Sequence, residues 1–167
     1  MTGPCVSGCR THGRWPMIGY HVRLAEPHDV GILVALCAEH AAFERAYFEI
    51  EGLSERLVRA LFGENPRARA WVADLGDAIV GYATASEEFS TWSATSYLHM
   101  DCLFVRPGLR NAGIGAALLR AVVQEARSRG LSDVQWQTPD WNADARRFYL
   151  RQGATASGKI RFSLSAG

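Results

Sequence analysis

The sequence lacks an excess of either charge. Its 18 lysine and arginine residues are matched by 17 aspartates and glutamates, which leaves a formal net charge of +1 at pH 7. A chain without a strong positive field has no general attraction for nucleic acid or for an acidic membrane surface. No apolar run is as long as a membrane span, and no apolar segment follows the first basic residues as a secretory signal would require. We therefore expect a cytoplasmic protein that binds neither nucleic acid nor membrane.

Cysteine is also scarce, with four residues in the whole chain. Cys37 falls in a helical pattern and Cys102 in a strand pattern, where small buried thiols are common. Cys5 and Cys9, together with His12, have the spacing of a partial metal site but lack a fourth ligand. The sequence therefore predicts neither a disulfide framework nor a bound metal.

The size and composition of the chain are those of one folded domain. It has 167 residues, of which 48% are hydrophobic, enough to bury a substantial core. Residues 1–17 show no periodic pattern, so we expect a disordered extension there. The folded domain is expected to cover residues 18–167.

A loop with two glycines, over residues 110–115, separates a predicted strand from a predicted helix. A strand-like run over residues 97–105 is followed, after Pro107, by a helical apolar pattern that begins at Ile114. Two glycines at the start of a helix leave backbone N–H groups free at the positive end of the dipole, and they remove Cβ atoms that would hold an anion away. An arginine adds donors that suit phosphate oxygens. The sequence predicts a pyrophosphate site formed by Arg110, Asn111, Ala112, Gly113, Ile114 and Gly115.

Hydrophobic periodicity gives the remaining elements. Alternation predicts strands over residues 20–25, 70–74, 78–83, 97–105, 133–138 and 159–164, with a polar loop over 87–96 and a β-bulge near Asp101 and Cys102. Helical spacing predicts helices after a cap at Asp29, from Ser54 to Gly63, from Ile114 to Arg129, and from a cap at Asn142 to Gly153. A helical crossover joins parallel strands, so the order predicts an α/β (α+β) domain whose mixed central sheet has helices on both faces.

The loop spacing Arg-x-x-Gly-x-Gly resembles the pyrophosphate loop of the GCN5-related N-acetyltransferases, and the element order is similar to theirs. Residues 140–154, with the pattern Asp-Trp-Asn-x-x-Ala-x-x-Phe-Tyr-x-x-x-Gly-Ala, resemble the closing motif of the diamine (spermidine/spermine) branch. Residues 89–101 and 41–44 are similar to its substrate strand and amine-pocket segment. The resemblance extends from Tyr20 to the C-terminus.

The resemblance implies a single GNAT-like domain with a splayed parallel strand pair, a homodimer, and acetyl-CoA as co-substrate. It implies that the backbone of Leu103, Phe104 and Val105 binds the acetyl and pantetheine groups beside the loop. Asn142 would cap a helix and contact the pantetheine arm. Both features also have a purely structural explanation. The glycine loop would then be only a turn, and Asn142 would only cap its helix.

Two residues could carry the proton transfers. An alkylamine has a pKa of about 10.4 and attacks a thioester only as the free base, so a carboxylate such as Asp101 could accept its proton. Tyr149, in the closing motif, could protonate the departing thiolate. The structural alternatives are that Asp101 is only a solvated strand residue and that Tyr149 is only a core residue.

The acceptor is predicted to be a small primary amine. Phe43 and Glu44 would line its pocket, with the carboxylate holding a distal ammonium. Cys102 stands where the diamine branch usually carries a second acid beside Asp101, which weakens selection for a long polycation. The predicted acceptor is thus a diamine, a polyamine or a lysine-like amine, and the missing acid leaves open a monoamine, a thialysine-like amino acid or an amine-bearing antibiotic. An aminoglycoside-type antibiotic acetyltransferase and a non-catalytic acyl-CoA sensor are the alternative functions.

Overall fold

The computed structural model describes residues 19–166, which form one mixed sheet with helices packed against it. The strands are β1 (His21–Leu24), β2 (Arg69–Asp74), β3 (Ile79–Ser90), β4 (Thr95–Val105) and β5 (Val134–Gln135), and the helices are α1 (Val30–Glu44), α2 (Leu53–Phe62), α3 (Ile114–Ser128) and α4 (Ala143–Arg151). The strands lie in the order β1-β2-β3-β4-β5. The first three pairs are antiparallel and β4–β5 is parallel, as the crossover through α3 requires. The expected extension over residues 1–17 lies outside the described residues.

Helices cover both faces of the sheet. Along β2, Trp71 and Ala73 point towards α3, whereas Ala70 and Val72 point towards α1 and α2. The α3 side of the core is completed by Ile114, Leu118, Leu119, Val122 and Ala126, and the opposite side by Leu33, Leu36, Leu61, Tyr82 and Phe104. This two-sided burial confirms the predicted α/β architecture.

A β-bulge interrupts the pairing of β3 with β4 where the sequence predicts it. Thr84 pairs with Cys102 and Ala85 pairs with Met100, so Asp101 has no residue opposite it. An extra residue kinks its strand and changes the direction of the neighbouring side chains. The bulge leaves Asp101 exposed while Met100 is 2% exposed in the core.

The parallel strand pair is short and splayed. Residue pairs form only at Leu98–Val134 and His99–Gln135, so within residues 19–166 the later part of β4 has no parallel neighbour. The predicted strand over residues 133–138 is therefore too long. Backbone donors of the last residues of β4 are left at an open edge, as the resemblance implies.

The predicted polar loop over residues 87–96 is wrong, because most of it extends the β3–β4 hairpin. Glu88 pairs with Tyr97, whose hydroxyl donates to the Glu88 carboxylate over 2.6 Å. Both faces of this ribbon lie largely in solvent, so its polar composition does not prevent strand pairing. Only residues 91–94 form the turn, with Trp92 fully exposed (100%) at its tip.

Two further expectations need correction. Asp29 occupies the position before α1, but its carboxylate does not cap that helix. It accepts hydrogen bonds from Arg23 (2.6 Å) and from the backbone N–H of Glu26 (2.8 Å), because a carboxylate that is only 1% exposed needs a buried cation.

The predicted final strand is also absent, since residues 154–166 form neither helix nor strand. An alternating pattern provides an apolar face but not the partner edge that a strand needs. No helix among residues 19–166 has the length and apolar character needed to cross a bilayer.

Candidate active site

A cavity of about 1060 Å³ opens where the end of β4, the loop before α3, the end of α1 and helix α4 meet. Most of the predicted site residues line it, namely Phe43, Glu44, Asp101, Leu103, Phe104, Val105, Arg110, Asn111, Gly113, Gly115, Asn142 and Tyr149. Three predicted residues do not. Ile114, the first residue of α3, is buried in the core, Ala112 is exposed in the loop, and Cys102 is half-buried next to Asp101 in β4.

The loop before α3 has the geometry of an anion site. Asn111 and Gly113 have positive φ angles of 66° and 85°. A glycine is needed at 113 because it adopts that left-handed conformation and because an added Cβ would lie 3.1 Å from the Tyr20 hydroxyl. The first turn of α3 leaves its backbone N–H groups without partners inside the helix, and they open onto the cavity.

Arg110 joins this loop to the end of α1. Its Nε donates to the carbonyl oxygen of Val105 over 3.0 Å, and its guanidinium lies 4.3 Å from the centre of the Phe43 ring. The Arg110 side chain thus lies over an aromatic face at the cavity wall.

Helix α4 positions Asn142 and Tyr149. The Asn142 side chain caps the helix by accepting from the backbone N–H of Ala145 over 3.1 Å, which confirms the predicted cap. Tyr149 packs against Trp136, with ring centres 5.0 Å apart. Burial, with smaller contributions from Glu44 and Cys102, raises the pKa of Tyr149 to about 12. The phenol therefore stays protonated at neutral pH and can donate a proton or hydrogen bond.

Asp101 and Cys102 differ in charge although they are adjacent. The Asp101 side chain is exposed to the cavity, and the Cys102 thiol donates to its carboxylate over 3.6 Å. Burial, together with the nearby Asp101 carboxylate, raises the pKa of Cys102 to about 12, so the thiol remains neutral. Cys102 therefore adds no second negative charge beside Asp101.

Sequence reasoning missed His40, which connects the cavity to the core. Its Nε2 lies 3.4 Å from Glu44 Oε1, its Nδ1 lies 3.1 Å from the hydroxyl of Tyr82, and its ring stacks on Phe104 at 5.1 Å. Burial lowers the pKa of His40, although the neighbouring Glu44 acts in the opposite direction. The available signal was its spacing of four residues before Glu44 on one helix, which places both side chains on the same face.

No group of three or more histidine, cysteine or acidic side chains within residues 19–166 is arranged to hold a metal ion.

A sequence profile described as "Acetyltransferase (GNAT) family" matches residues 33–154, which is most of the chain and includes most of α1 and all of β4, the glycine loop and α4. The chain belongs to the GNAT acetyltransferase family. It is therefore an acyltransferase, and the matched residues contain most of the lining of the cavity.

The named relatives of this GNAT chain are N-acetyltransferases and an acetyltransferase-like protein. The chain is 30% identical over 147 residues to the thialysine N-epsilon-acetyltransferase of Mus musculus. The alignment covers 83% of this chain and 85% of the relative. The chain is 31% identical over 106 residues to an L-ornithine N5-acetyltransferase of Arabidopsis thaliana, with 62% of this chain and 46% of that protein covered. A match at 25% identity covers 81% of this chain and 20% of a human spermidine/spermine N(1)-acetyltransferase-like protein.

Solved structures share the GNAT fold. The crystal structure of an aminoglycoside acetyltransferase from an uncultured soil metagenomic sample, in complex with sisomicin, aligns with a TM-score of 0.75 at 23% identity. The alignment covers 89% of this chain and 97% of that one. At this level of identity the likeness establishes the fold of this GNAT domain and nothing about its acceptor.

Proposed function

We propose that this chain transfers the acetyl group of acetyl-CoA to a small primary amine, either a short diamine or a lysine-like amino acid. The observation that carries the proposal is that one cavity contains an anion-binding loop, a carboxylate, a protonated phenol and a second acid at its far end. These four parts are the loop over residues 110–115, which lines the cavity through Arg110, Asn111, Gly113 and Gly115, and the side chains of Asp101, Tyr149 and Glu44.

The loop suits the pyrophosphate of the co-substrate. The left-handed backbone at Gly113 turns the first N–H groups of α3 towards the cavity, and the positive helix end favours phosphate there. The open edge of β4 at Leu103, Phe104 and Val105 supplies backbone groups for the pantetheine arm and the thioester carbonyl. Asn142 keeps its cap and presents its remaining amide hydrogens to the same arm.

Asp101 and Tyr149 divide the proton transfers between them. The attacking amine must lose a proton that it holds with a pKa of about 10.4, and Asp101 accepts it through water. The departing thiolate needs a proton, which the Tyr149 hydroxyl supplies from its protonated state. The bond from the amine nitrogen to the carbonyl carbon forms first, the carbon–sulfur bond breaks when the tetrahedral intermediate collapses, and no redox step is involved.

Glu44 determines which amines bind well. Its carboxylate lies beside Phe43, and His40 fixes it at the end of the cavity where a distal ammonium can pair with it. Thialysine and ornithine, the acceptors named for two relatives, each carry a terminal amine and a second ammonium. The neutral Cys102 leaves fewer charges for a third or fourth ammonium, so we expect spermine to be a poorer acceptor.

An amine panel tests the proposal. Thiol release from acetyl-CoA is followed with thialysine, ornithine, putrescine, spermine, an aminoglycoside and a primary monoamine of putrescine's length. We expect kcat/KM to be highest for the short diamines and lysine-like amines. Thiol release with no amine, despite acetyl-CoA binding, would favour the non-catalytic sensor. A preference for the aminoglycoside would favour the antibiotic-modifying alternative.

A further inference from the structure

Arg45 ends helix α1 in a left-handed backbone conformation. Its φ and ψ angles are 57° and 32°, and its backbone N–H donates to the carbonyl oxygens of Ala41 and Ala42. Glycine is the residue most often found in this conformation after a helix, because a Cβ atom is unfavourable there. The turn alone favours glycine, so the arginine at this position points to a use for its side chain.

An aromatic pair connects the Arg45 guanidinium to the active-site cavity. The guanidinium carbon lies 5.6 Å from the centre of the Trp141 ring, which is within the range of a cation–π contact. The Trp141 ring lies 5.9 Å from the ring of Phe43, and Phe43 lines the cavity. Arg45 and Trp141 are themselves exposed and lie outside the lining, so the guanidinium is at the mouth of the cavity.

The Arg45 guanidinium has no acidic partner in the described part of the chain. No carboxylate among residues 19–166 lies within ion-pair distance of it. Two arginines that line the cavity are already engaged, since Arg110 donates to the carbonyl oxygen of Val105 and Arg147 pairs with Asp144. A guanidinium that lies over an aromatic ring keeps N–H donors that can bind a carboxylate.

An acid and a cation therefore follow each other at the end of α1. The Glu44 carboxylate lines the cavity, and the α-carbons of consecutive residues are about 3.8 Å apart. The head group of an α-amino acid carries an ammonium and a carboxylate on one carbon, whereas the far end of a diamine carries only an ammonium. Glu44 attracts the ammonium of either acceptor. Arg45 attracts the carboxylate of the amino acid and repels the bare ammonium of the diamine.

We propose that Arg45 binds the α-carboxylate of the acceptor and thereby selects lysine-like amino acids over diamines of the same chain length. This inference rests on the proposed function and narrows its acceptor to an amino acid whose head group stays at the mouth of the cavity. The side-chain amine of that acceptor extends inward, to the part of the cavity that Asp101 and Tyr149 line.

Ornithine and putrescine provide the direct test, because putrescine is ornithine without its α-carboxylate. In the full-length parent protein we expect kcat/KM for ornithine to exceed that for putrescine by roughly 3- to 10-fold, the range for a partly exposed guanidinium–carboxylate pair. Arg45→Gln should remove most of this preference by raising KM for ornithine, with KM for putrescine unchanged or lower. Arg45→Lys keeps the charge without the planar fork and should retain part of the preference.

The matched control is Arg127→Gln, which removes the same charge from an exposed position near the far end of α3. It should keep the full preference for ornithine. An unchanged Tm shift with acetyl-CoA shows that the Arg45 variants are folded and bind the co-substrate.

Ornithine amide separates a carboxylate contact from a general change in the pocket. It keeps the α-ammonium but replaces the carboxylate with a neutral carboxamide. Arg45→Gln should therefore change kcat/KM for ornithine amide by less than about twofold, because the interaction that the substitution removes is already absent. A loss as large as that for ornithine would overturn the proposal.

The inference and the proposed function fail in different ways. Equal kcat/KM for ornithine and putrescine in the parent protein, or a preference for ornithine that survives Arg45→Gln, would overturn the role of Arg45 and leave acetyl transfer to small amines intact. Acetylation of neither amine, despite binding of acetyl-CoA, would overturn both.

Discussion

His40 and Glu44 stand one turn apart on α1, with His40 Nε2 3.4 Å from Glu44 Oε1. The imidazole is 14% exposed and contacts the Tyr82 hydroxyl through its other nitrogen, so both ring nitrogens have partners. Burial lowers the pKa of His40, which favours the neutral ring with its Nε2 hydrogen directed at Glu44. The pair therefore fixes an acid at the end of the active-site cavity.

Glu44→Gln should weaken the binding of diamines more than that of monoamines. Only the diamine has a distal ammonium to pair with the carboxylate, and a charge-assisted hydrogen bond contributes about 1.5–3 kcal/mol. We expect KM for putrescine to rise by about tenfold or more, with a small change for a monoamine of equal length. Glu55→Gln on the exposed face of α2 makes the same charge change away from the cavity and serves as the control. Equal effects on both amines would show that Glu44 does not face the acceptor.

Replacement of His40 should raise KM for diamines, as Glu44→Gln does, but by less, because the Glu44 carboxylate is still present. His40→Leu keeps an apolar contact with Phe104 but leaves the Glu44 carboxylate free to rotate. We expect KM for diamines to rise by roughly 2- to 10-fold, the cost of one hydrogen bond, with kcat little changed. His40→Gln can still donate and should restore most of the affinity. A fall in kcat with KM unchanged would contradict the positioning role.

The lowered pKa of His40 also predicts how stability depends on pH. The unfolded chain binds a proton at this residue with a pKa of about 6.5, whereas the folded chain binds it only at lower pH. The unfolded state therefore holds more protons between these two values, and stability must fall as pH drops below about 6.5.

Urea unfolding at pH 7 and pH 5 measures this dependence. His40→Gln, which cannot titrate, should lose less stability over that interval than the parent protein. Because Asp29 and Asp74 titrate in both proteins, their contributions cancel in the comparison. An equal loss of stability in the two proteins would show that His40 is not buried in its neutral form.

The glycine loop can be tested through thermal stability. Acetyl-CoA should raise Tm, because a ligand that binds only the folded state stabilises it by mass action. Arg110→Ala combined with Gly113→Val should abolish the shift. Gly130→Val places the same side chain at a comparable positive φ, 69° against 85°, at the other end of α3, and should keep the shift. If the loop variant still responds to acetyl-CoA as the parent does, the pyrophosphate site lies elsewhere.

Much of the fold follows from local patterns. Helix α3 and its glycine loop are encoded in consecutive residues, and the break in alternation at Asp101 marks the bulge that the structure contains. Tyr149 could be placed in the cavity because it belongs to a contiguous motif. These features need no knowledge of distant contacts.

What the sequence did not reveal depends on distant partners. His40 is held in place by contacts with Tyr82 and Phe104. These two residues come from the sheet and are far from His40 in sequence, so local patterns do not reveal the contacts. The alternation over residues 159–164 predicts a strand that the structure does not contain, because alternation gives no information about a partner edge. The cytoplasmic location and the roles of the site residues remain predictions.

The most direct test of acetyl transfer in this cavity is the turnover of Tyr149→Phe. The change removes one hydroxyl from a half-buried ring, so acetyl-CoA should bind as tightly as before, whereas Tyr97→Phe in the exposed hairpin controls for loss of a phenol elsewhere. With ornithine or thialysine as acceptor, and with the acetylated amine quantified by mass spectrometry, we predict that kcat falls by about a hundredfold or more. An unchanged kcat, under conditions where the chemical step limits the rate, would contradict the account.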